Sequence, residues 1–254
     1  MLAREYADQD IRRNMGTPTQ DTPYTQQRKK TEEMFNDIAG SYDFLNHFLS
    51  AGIDKIWRKK AIKLLAQHQP QHILDIATGT ADLAIQALSI NPEKVTGVDI
   101  AEKMLEIGRE KIKKRGLENK VVLQQADACA LPFQDNSFDA ITVAFGVRNF
   151  ENLNKGLEEM NRVLKQGGMA VVLEFSNPRA FPMKQFYNFY FKAVLPLIGK
   201  MVSSHSSAYT YLPETVKAFP DGSKFVKIME DAGYQQVERH SLTFGVASIY
   251  TGIK

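Results

Sequence analysis

The sequence predicts an α/β fold built on a mostly parallel, seven-stranded sheet that ends in an antiparallel hairpin. Three observations predict this fold. Short apolar runs rich in β-branched residues alternate with helical patterns from Ile73 onward. The last two of these runs follow one another across a short link with no helical pattern between them. The chain has 254 residues, 43% of them hydrophobic, which suffices for one domain with a substantial core.

The first five predicted strands are short and apolar, as buried parallel strands tend to be. They are His72–Ile76, Lys94–Asp99, Val121–Gln125, Ala140–Ala144 and Met169–Glu174. Amphipathic patterns predict helices between them at Ala81–Ser89, Ala101–Lys114 and Leu153–Lys165. We expect Gly167-Gly168 to turn the chain from the last of these helices into the fifth strand.

The end of the chain departs from this alternation. A helix is predicted at Phe225–Ala232, with Gly233 in a good position to stop it. Strands follow at Gln236–Ser241 and Ala247–Thr251, so at least one of the two runs antiparallel to the rest. Five parallel strands with a terminal hairpin form the Rossmann-like layout of class I S-adenosylmethionine-dependent methyltransferases.

Composition along the chain predicts its domain organisation. Residues 1–30 are polar, and we expect them to form a flexible N-terminal arm. Residues 31–254 are predicted to form a single methyltransferase domain. Within it, residues 32–70 form a leading helical segment, and residues 178–220 form an aromatic-rich insertion or lid.

Charge and cysteine content exclude several classes of function. The formal net charge is +3, and the basic residues are spread in short groups typical of solvated helix faces, so nucleic acid is not an expected partner. The single cysteine, Cys129, allows no internal disulfide and fits a reducing compartment. We find no signal peptide and no transmembrane run, and therefore expect a cytoplasmic protein, soluble or peripheral at a membrane. The five histidines form no metal-ligand spacing, so no metal site is predicted.

The stretch "ILDIATGTADLA", residues 73–84, is the first candidate for ligand binding. No lysine follows Gly79, which excludes a Walker loop. A dinucleotide loop would need a third glycine where Asp82 stands. The remaining hypothesis is an S-adenosylmethionine loop with the core Asp-x-x-x-G, in which Asp75 and Thr78 shape the turn and the backbone approaches the ligand at Gly79. Asp75 could alternatively serve mainly to hold backbone groups of the loop.

Two further aspartates support this hypothesis. Asp99 ends the second predicted strand, where a carboxylate can accept hydrogen bonds from both ribose hydroxyls. This device is shared with NAD sites. Asp127 follows the third strand and can accept a hydrogen bond from the adenine amino group, although a turn cap is the alternative. The pattern "DACALPFQDNSFD", residues 127–139, is common in methyltransferases and not in dehydrogenases.

Four blocks of sequence carry a closer resemblance. They are "YDFLNHFLSAGIDKIW" at 42–57, "FGVRNF" at 145–150, "RVLKQGGMAVVLEFS" at 162–176 and "SSAYTYLPETVKAFP" at 206–220. With them, the chain resembles the UbiE/MenG family of quinone-biosynthesis C-methyltransferases over residues 31–253. The resemblance implies S-adenosylmethionine contacts at Thr78, Asp99 and the Asp127-Ala128 pair. Asp54 and Gln166 depart from the family's usual His and Pro, and Ala144 stands where ubiquinone-type members often have Ser.

The resemblance also implies a reaction, the C-methylation of a polyprenylated demethylmenaquinol to menaquinol. Arg148 and Asn149 are candidates to stabilise a phenolate-like oxygen of the acceptor, and Tyr42 could hydrogen-bond the same oxygen or a water. A structural ion pair is the alternative for Arg148, and a packed core aromatic is the alternative for Tyr42. The aromatic insertion would form a hydrophobic cleft for the ring and the first isoprene units, with core packing as the competing explanation.

Other functions remain open at this point. They are a dual-specificity enzyme that also methylates the 2-polyprenyl-6-methoxy-1,4-benzoquinol precursor of ubiquinone, a methyltransferase of another substrate class, and a non-catalytic assembly module of the quinone pathway. Asp82 makes an NAD oxidoreductase a poor fit. The predicted partners are the hydroquinone and S-adenosylmethionine, and membrane contact and homo-oligomer formation are left open.

Overall fold

A computed structural model describes residues 29–40, 52–179, 181–189 and 207–254 of the chain. Nearly all of the predicted N-terminal arm lies outside these ranges, and so does Tyr42, one of the three predicted catalytic residues.

The described residues contain one seven-stranded sheet. Its strands are β1 His72–Ile76, β2 Lys94–Asp99, β3 Val121–Gln125, β4 Phe138–Ala144, β5 Leu164–Phe175, β6 Gln235–Leu242 and β7 Ala247–Ile253. Their spatial order is β3-β2-β1-β4-β5-β7-β6. Strands β1 to β5 pair in parallel, and β7 runs antiparallel to both of its neighbours, β5 and β6. The prediction of five parallel strands and a terminal hairpin is confirmed.

The helices cover both faces of this sheet. They are α1 at residues 29–40, α2 Ile53–Leu65, α3 Asp82–Ala87, α4 Glu102–Lys114, α5 Leu153–Val163, α6 Met183–Phe189, α7 Ser207–Ala218 and α8 Ser223–Asp231. Short 3₁₀ turns occupy Ala66–His68, Leu88–Ile90, Val147–Asn149 and Thr243–Gly245. None of the helices in the described ranges is long and apolar enough to cross a bilayer.

Each face of the sheet has its own buried core, because successive side chains of a strand point to opposite faces. Ile73 of β1 belongs to the core that includes α2, α3 and α4. Its neighbour Leu74 belongs to the core that includes α5 and α8. The two faces can therefore be read from alternate residues of a single strand.

Most predicted boundaries lie within two residues of the observed ones, and the largest difference concerns the fifth strand. The fifth strand begins at Leu164, directly after α5, and not after the Gly167-Gly168 pair. Leu164 pairs with Phe138, and the register shifts before Met169 pairs with Ala140. A Cβ atom on Gly168 would lie only 2.8 Å from the carbonyl oxygen of Asp139, so this glycine permits a close approach of two strands. The predicted stop of α8 is confirmed, since Gly233 has a φ of 94°.

The insertion is described only in part, as helices α6 and α7. Among its aromatic residues, Phe181 and Phe189 expose 81% and 64% of their surface and do not bury into a pocket wall. About half of the residues predicted to form a hydrophobic cleft for an isoprene chain lie outside the described ranges.

Candidate functional site

The loop between β1 and α3 lies at the carboxyl end of the sheet, where open α/β sheets place ligands. Ala77, Gly79 and Ala81 have φ values of 52°, 55° and 67°, so three alternating residues adopt the left-handed conformation. The N–H of Thr78 donates to the carbonyl oxygen of Val98 over 2.9 Å, which ties the loop to β2. This conformation is strained for alanine. The loop retains it because the surrounding structure holds the backbone in place.

Asp75 lies beneath the loop and stabilises it through hydrogen bonds. It is 1% exposed and accepts hydrogen bonds of 2.6 Å from the hydroxyls of both Thr78 and Thr142. Burial raises the pKa of Asp75 to about 6, against the opposing effect of these two hydrogen bonds. The carboxylate thus joins β1, the loop and β4 through side-chain hydroxyls, and not through the backbone groups considered above.

Asp99 forms one wall of a large cleft. Its two carboxylate oxygens accept from the N–H of Gly79 over 2.8 Å and from the N–H of Ala101 over 2.9 Å. The N–H of Ile100 is a third backbone donor to this carboxylate, which leaves about one of its roughly four acceptor positions for a hydroxyl group. Burial raises the pKa of Asp99, and the three backbone N–H donors oppose that rise. This position fits a hydrogen bond from a ribose hydroxyl.

Asp127 and Ala128 line the same cleft. The Oδ1 atom of Asp127 accepts from the N–H of Cys129 over 2.8 Å, so the turn-cap role considered above is present. Its side chain nevertheless borders the cavity, which leaves the predicted contact with an adenine amino group open as a second role.

The cleft is open to solvent and, together with part of that solvent, spans about 710 Å³. It brings together Gly79, Asp99, Asp127, Ala128 and Asn149 among the predicted residues. Sequence reasoning did not single out the rest of its lining, which consists of Thr31, Phe35, Ile76, Ala77, Ile100, Met104, Ala126, Phe145, Gly146, Phe150 and Glu151. Phe145, Gly146 and Phe150 fall in the "FGVRNF" block and could have been found from it.

Arg148 does not line the cleft and instead forms a buried ion pair. Its Nη1 atom donates to Glu174 Oε1 over 2.7 Å and to the carbonyl oxygen of Phe145 over 2.6 Å. The side chains of Arg148 and Glu174 are 7% and 0% exposed. Within the described residues, the buried Nε of Arg148 has no hydrogen-bond partner. The ion pair weighed as the alternative for Arg148 is thus present, and Glu174 is a residue that the sequence reasoning missed.

Asn149, next to Arg148, faces the cleft and is held by the insertion. The Tyr211 hydroxyl of α7 donates to Asn149 Oδ1 over 3.0 Å. The Tyr211 ring meets the ring of Phe35 edge-on at 6.5 Å between centroids. Helices α1 and α7 therefore meet beside Asn149, through residues that lie far apart in the sequence.

A smaller cavity, also partly open to solvent, lies against the same loop. The lining of this second cavity includes Thr78 and Asp75, together with Arg58 and Asp82. Neither Thr78 nor Asp75 lines the large cleft. Ala77 and Gly79 line both cavities. In the described part of the chain, no three His, Cys, Asp or Glu side chains are grouped to hold a metal ion.

The chain is similar to known methyltransferases. The model of the ubiE/COQ5 methyltransferase family matches residues 24–254. The chain is 51% identical to the demethylmenaquinone methyltransferase of Bacteroides fragilis over 236 residues, which cover 91% of this chain and 96% of that protein. It is 44% identical to the ubiquinone/menaquinone biosynthesis C-methyltransferase UbiE of Geotalea daltonii, over 91% of this chain and 98% of that protein.

A solved structure from Thermotoga maritima, described as an S-adenosylmethionine-dependent methyltransferase and possible histamine N-methyltransferase, shares the fold. Its TM-score is 0.60 at 20% identity, and the match covers 88% of this chain and 99% of that chain. The predicted fold class is confirmed by this likeness.

Proposed function

Because the chain belongs to the ubiE/COQ5 methyltransferase family, we propose that it transfers a methyl group from S-adenosylmethionine to a ring carbon of a polyprenylated demethylmenaquinol, giving menaquinol. The Bacteroides fragilis relative, which carries the corresponding name, matches along nearly its whole length. The observation that carries the proposal is the large cleft, in which Asp99 and Asn149 border one cavity.

The donor end of the cleft suits S-adenosylmethionine, whose sulfonium supplies an electrophilic methyl group. Asp99 would accept from a ribose hydroxyl, with Gly79 allowing the backbone to come close. Asp127 and Ala128 would contact the adenine. Thr78 would act indirectly. Its hydroxyl donates a hydrogen bond of 2.6 Å to Asp75, and this hydrogen bond fixes the turn.

The acceptor end must orient the ring and stabilise the negative charge that develops on a ring oxygen. Asn149 faces the cavity, and its side-chain carbonyl accepts from Tyr211, so its amide N–H₂ is turned to other groups. Arg148 lies behind it as a buried positive charge. We propose that Asn149 contacts the ring oxygen directly and that Arg148 acts on it through the electrostatic field or through its buried Nε. Tyr42 retains its proposed role as a hydrogen-bonding partner of the same oxygen.

A dual-specificity enzyme is a second candidate. It is supported by the 44% identity to the Geotalea daltonii protein, whose name covers both ubiquinone and menaquinone biosynthesis. Ala144 favours the menaquinol acceptor, since ubiquinone-type members often carry Ser there. The two candidates differ in whether a benzoquinol is accepted as well.

We also propose a peripheral contact with the membrane that holds the prenylated substrate. The exposed rings of Phe181 and Phe189, both next to or within α6, support it. Replacing both by Ser should reduce co-sedimentation with anionic vesicles and leave S-adenosylmethionine binding unchanged. Unchanged co-sedimentation would remove this part of the proposal.

The experiment that tests the proposed function uses methyl-labelled S-adenosylmethionine and each reduced quinone in turn. Label should appear in menaquinol, and label in the benzoquinol product as well would establish dual specificity. Label on neither acceptor, with donor binding intact, would refute the enzymatic proposal and favour a binding module. Asn149→Ala should lower turnover strongly, whereas Lys114→Ala, on the far side of α4 with 77% of its side chain exposed, should not.

A further inference from the structure

Two arginines that the proposed reaction does not use lie side by side next to the last strands of the sheet. Arg179 comes four residues after the end of β5, and Arg239 lies on β6, the strand at the edge of the sheet. A Cβ atom on Gly222 would stand 3.1 Å from Nη1 of Arg239 and 3.6 Å from Nη2 of Arg179. Both guanidinium groups therefore lie over the same glycine, at the start of α8.

The positive charge of this pair is only partly compensated. Nη2 of Arg179 donates to Asp221 over 3.0 Å, and 70% of the Arg179 side chain is exposed. Arg239 is exposed as well and donates its Nε to the hydroxyl of Ser248 over 3.0 Å. Within the described ranges, no carboxylate forms an ion pair with Arg239. One net positive charge remains, and guanidinium groups match the oxygens of a phosphate.

An exposed aromatic ring projects from the link between β6 and β7. Thr243, Phe244 and Gly245 have φ values of 44°, 54° and 94°, so three successive residues adopt left-handed backbone. Positive φ strains a bulky residue such as Phe244, and 80% of its surface is exposed. The indole Nε1 of Trp57 donates to the hydroxyl of Thr243 over 2.9 Å and fixes the link in this shape. Packing within the chain does not explain a strained backbone that holds a phenylalanine ring out in water, which points to a partner outside the chain.

The ring and the arginine pair share one surface. β6 runs in the same direction as β5, so the link after β6 lies at the carboxyl end of the sheet, as does Arg179. A Cβ atom on Gly245 would lie 3.6 Å from the Cα of Pro178, the residue before Arg179. Phe181, two residues after Arg179, is 81% exposed. Two basic side chains and two exposed rings therefore occur together beside the segment that leads into the insertion.

We propose that these four exposed side chains form a docking surface for a bilayer that contains anionic phospholipids. The docking surface consists of Arg179, Arg239, Phe181 and Phe244. The guanidinium groups would bind headgroup phosphates, while the rings would enter the interface between headgroups and acyl chains. A soluble phosphate compound would use the arginines and leave the rings in water, whereas a lipid surface uses both. The inference rests on the membrane contact of the proposed function and deepens it by naming the lipid charge that is recognised.

The docking surface would also orient the cleft. Glu174, the buried partner of Arg148, lies on β5 five residues before Arg179. Asn177 lies between these two positions, and its N–H donates to Asp221, the same carboxylate that holds Arg179. A bilayer bound at the docking surface would thus lie on the same side of the molecule as the proposed acceptor end of the cleft.

The test measures co-sedimentation with two kinds of vesicle, phosphatidylcholine alone and phosphatidylcholine mixed with phosphatidylglycerol. Each basic residue at an anionic surface contributes about fivefold to affinity. The double variant Arg179→Gln with Arg239→Gln should therefore bind mixed vesicles about 10- to 30-fold more weakly and change less than about twofold on phosphatidylcholine alone. Phe244→Ser should bind both kinds of vesicle at least about threefold more weakly. Arg115→Gln removes the same charge from an exposed position just after α4 and should change neither.

Equal binding of the wild type and the double variant to mixed vesicles would overturn the inference. An equal loss in Arg115→Gln would overturn it too, because the attraction would then be a general effect of net charge. Calorimetry with inorganic phosphate tests the other source of the anion. A phosphate affinity that the double variant loses, with vesicle binding unchanged, would assign the arginines to a soluble phosphate compound and overturn the lipid surface.

If the double variant does not fold, Arg239→Gln alone leaves the ion pair of Arg179 with Asp221 intact. It should weaken binding to mixed vesicles about fivefold, and no loss would overturn the inference. The proposed reaction is tested separately with the acceptor in detergent micelles, where the double variant should keep wild-type turnover. Absence of label on every quinol, with the charge-dependent vesicle binding intact, would refute the proposed reaction and leave the docking surface standing.

Discussion

The ion pair between Arg148 and Glu174 permits a prediction that separates stability from catalysis. Glu174 is fully buried, and removing one member of a buried pair costs about 3–5 kcal/mol because the other charge is left uncompensated. Two backbone N–H groups would remain on the carboxylate of Glu174, those of Arg148 and Phe175 at 3.3 and 2.8 Å. Arg148→Ala should therefore lower the free energy of unfolding by an amount near the lower end, about 3 kcal/mol.

Replacing the acid as well should restore much of this loss. The double variant Arg148→Ala with Glu174→Gln contains no uncompensated charge, so it should unfold at a urea concentration near that of the wild type. The exposed pair of Lys227 and Asp231 has the same N–O distance, 2.7 Å, with side chains 67% and 62% exposed. Lys227→Ala is the control and should leave the urea midpoint nearly unchanged, because solvent screens an exposed ion pair.

Turnover then reports on the second role of Arg148. If its charge stabilises the acceptor oxygen, the double variant should regain stability and still lose about 100-fold or more in kcat, while S-adenosylmethionine affinity stays near that of the wild type. Recovery of both stability and turnover would make Arg148 purely structural. A loss of less than about 1 kcal/mol in Arg148→Ala would refute the reasoning from burial itself.

Three further predictions concern the loop and the acceptor end. Because burial raises the pKa of Asp75 from 3.8 to about 6, its native form binds a proton more readily than the unfolded chain. Its contribution to stability is thus complete below pH 4 and is lost as the pH rises through 6, by up to about 3 kcal/mol. Asp75→Asn should flatten the pH dependence of urea unfolding in this window, and an unchanged slope would contradict the assignment. Gly146→Ala would place its Cβ 2.3 Å from that of Ala77, so it should cost about 1–3 kcal/mol in thermal or urea unfolding, and adding Ala77→Gly should recover most of it. Tyr211→Phe removes the donor to Asn149 and should reduce kcat/KM for the quinol about 3- to 10-fold, with S-adenosylmethionine affinity measured by calorimetry unaffected.

Local patterns in the sequence predict most of the sheet. Buried parallel strands form apolar runs, and β1, β2 and β3 begin and end at the predicted residues. The start of β5 was missed because Leu164 pairs with Phe138 of β4 ahead of a register shift, and no local pattern reveals that partner. Pairing between distant segments decided this boundary.

The same distinction applies to the site. Gly79, Asp99 and Asp127 could be predicted because each follows a strand at the carboxyl edge of the sheet, and parallel strands bring those ends together. The partners of Arg148 and Asn149 could not, since Glu174 and Tyr211 are 26 and 62 residues away along the chain. Contacts of this kind depend on how helices pack over the sheet edge, which single-sequence patterns do not encode.

The shape of the large cleft depends on strained backbone that neighbouring residues hold in place. Ala77, Ala81 and Phe145 all have positive φ values, and each such residue costs about 1–3 kcal/mol unless its surroundings fix it. Asp75 supplies part of that fixing, because it accepts from threonine hydroxyls of both the loop and β4. Close packing of Gly146 on Ala77 supplies another part, since no larger residue fits there. The loop between β1 and α3 and the end of β4, which leads to Asn149, are therefore stabilised by the same contacts. A change that loosens Asp75 should disturb both ends of the cleft, although Asp75 itself borders only the smaller cavity.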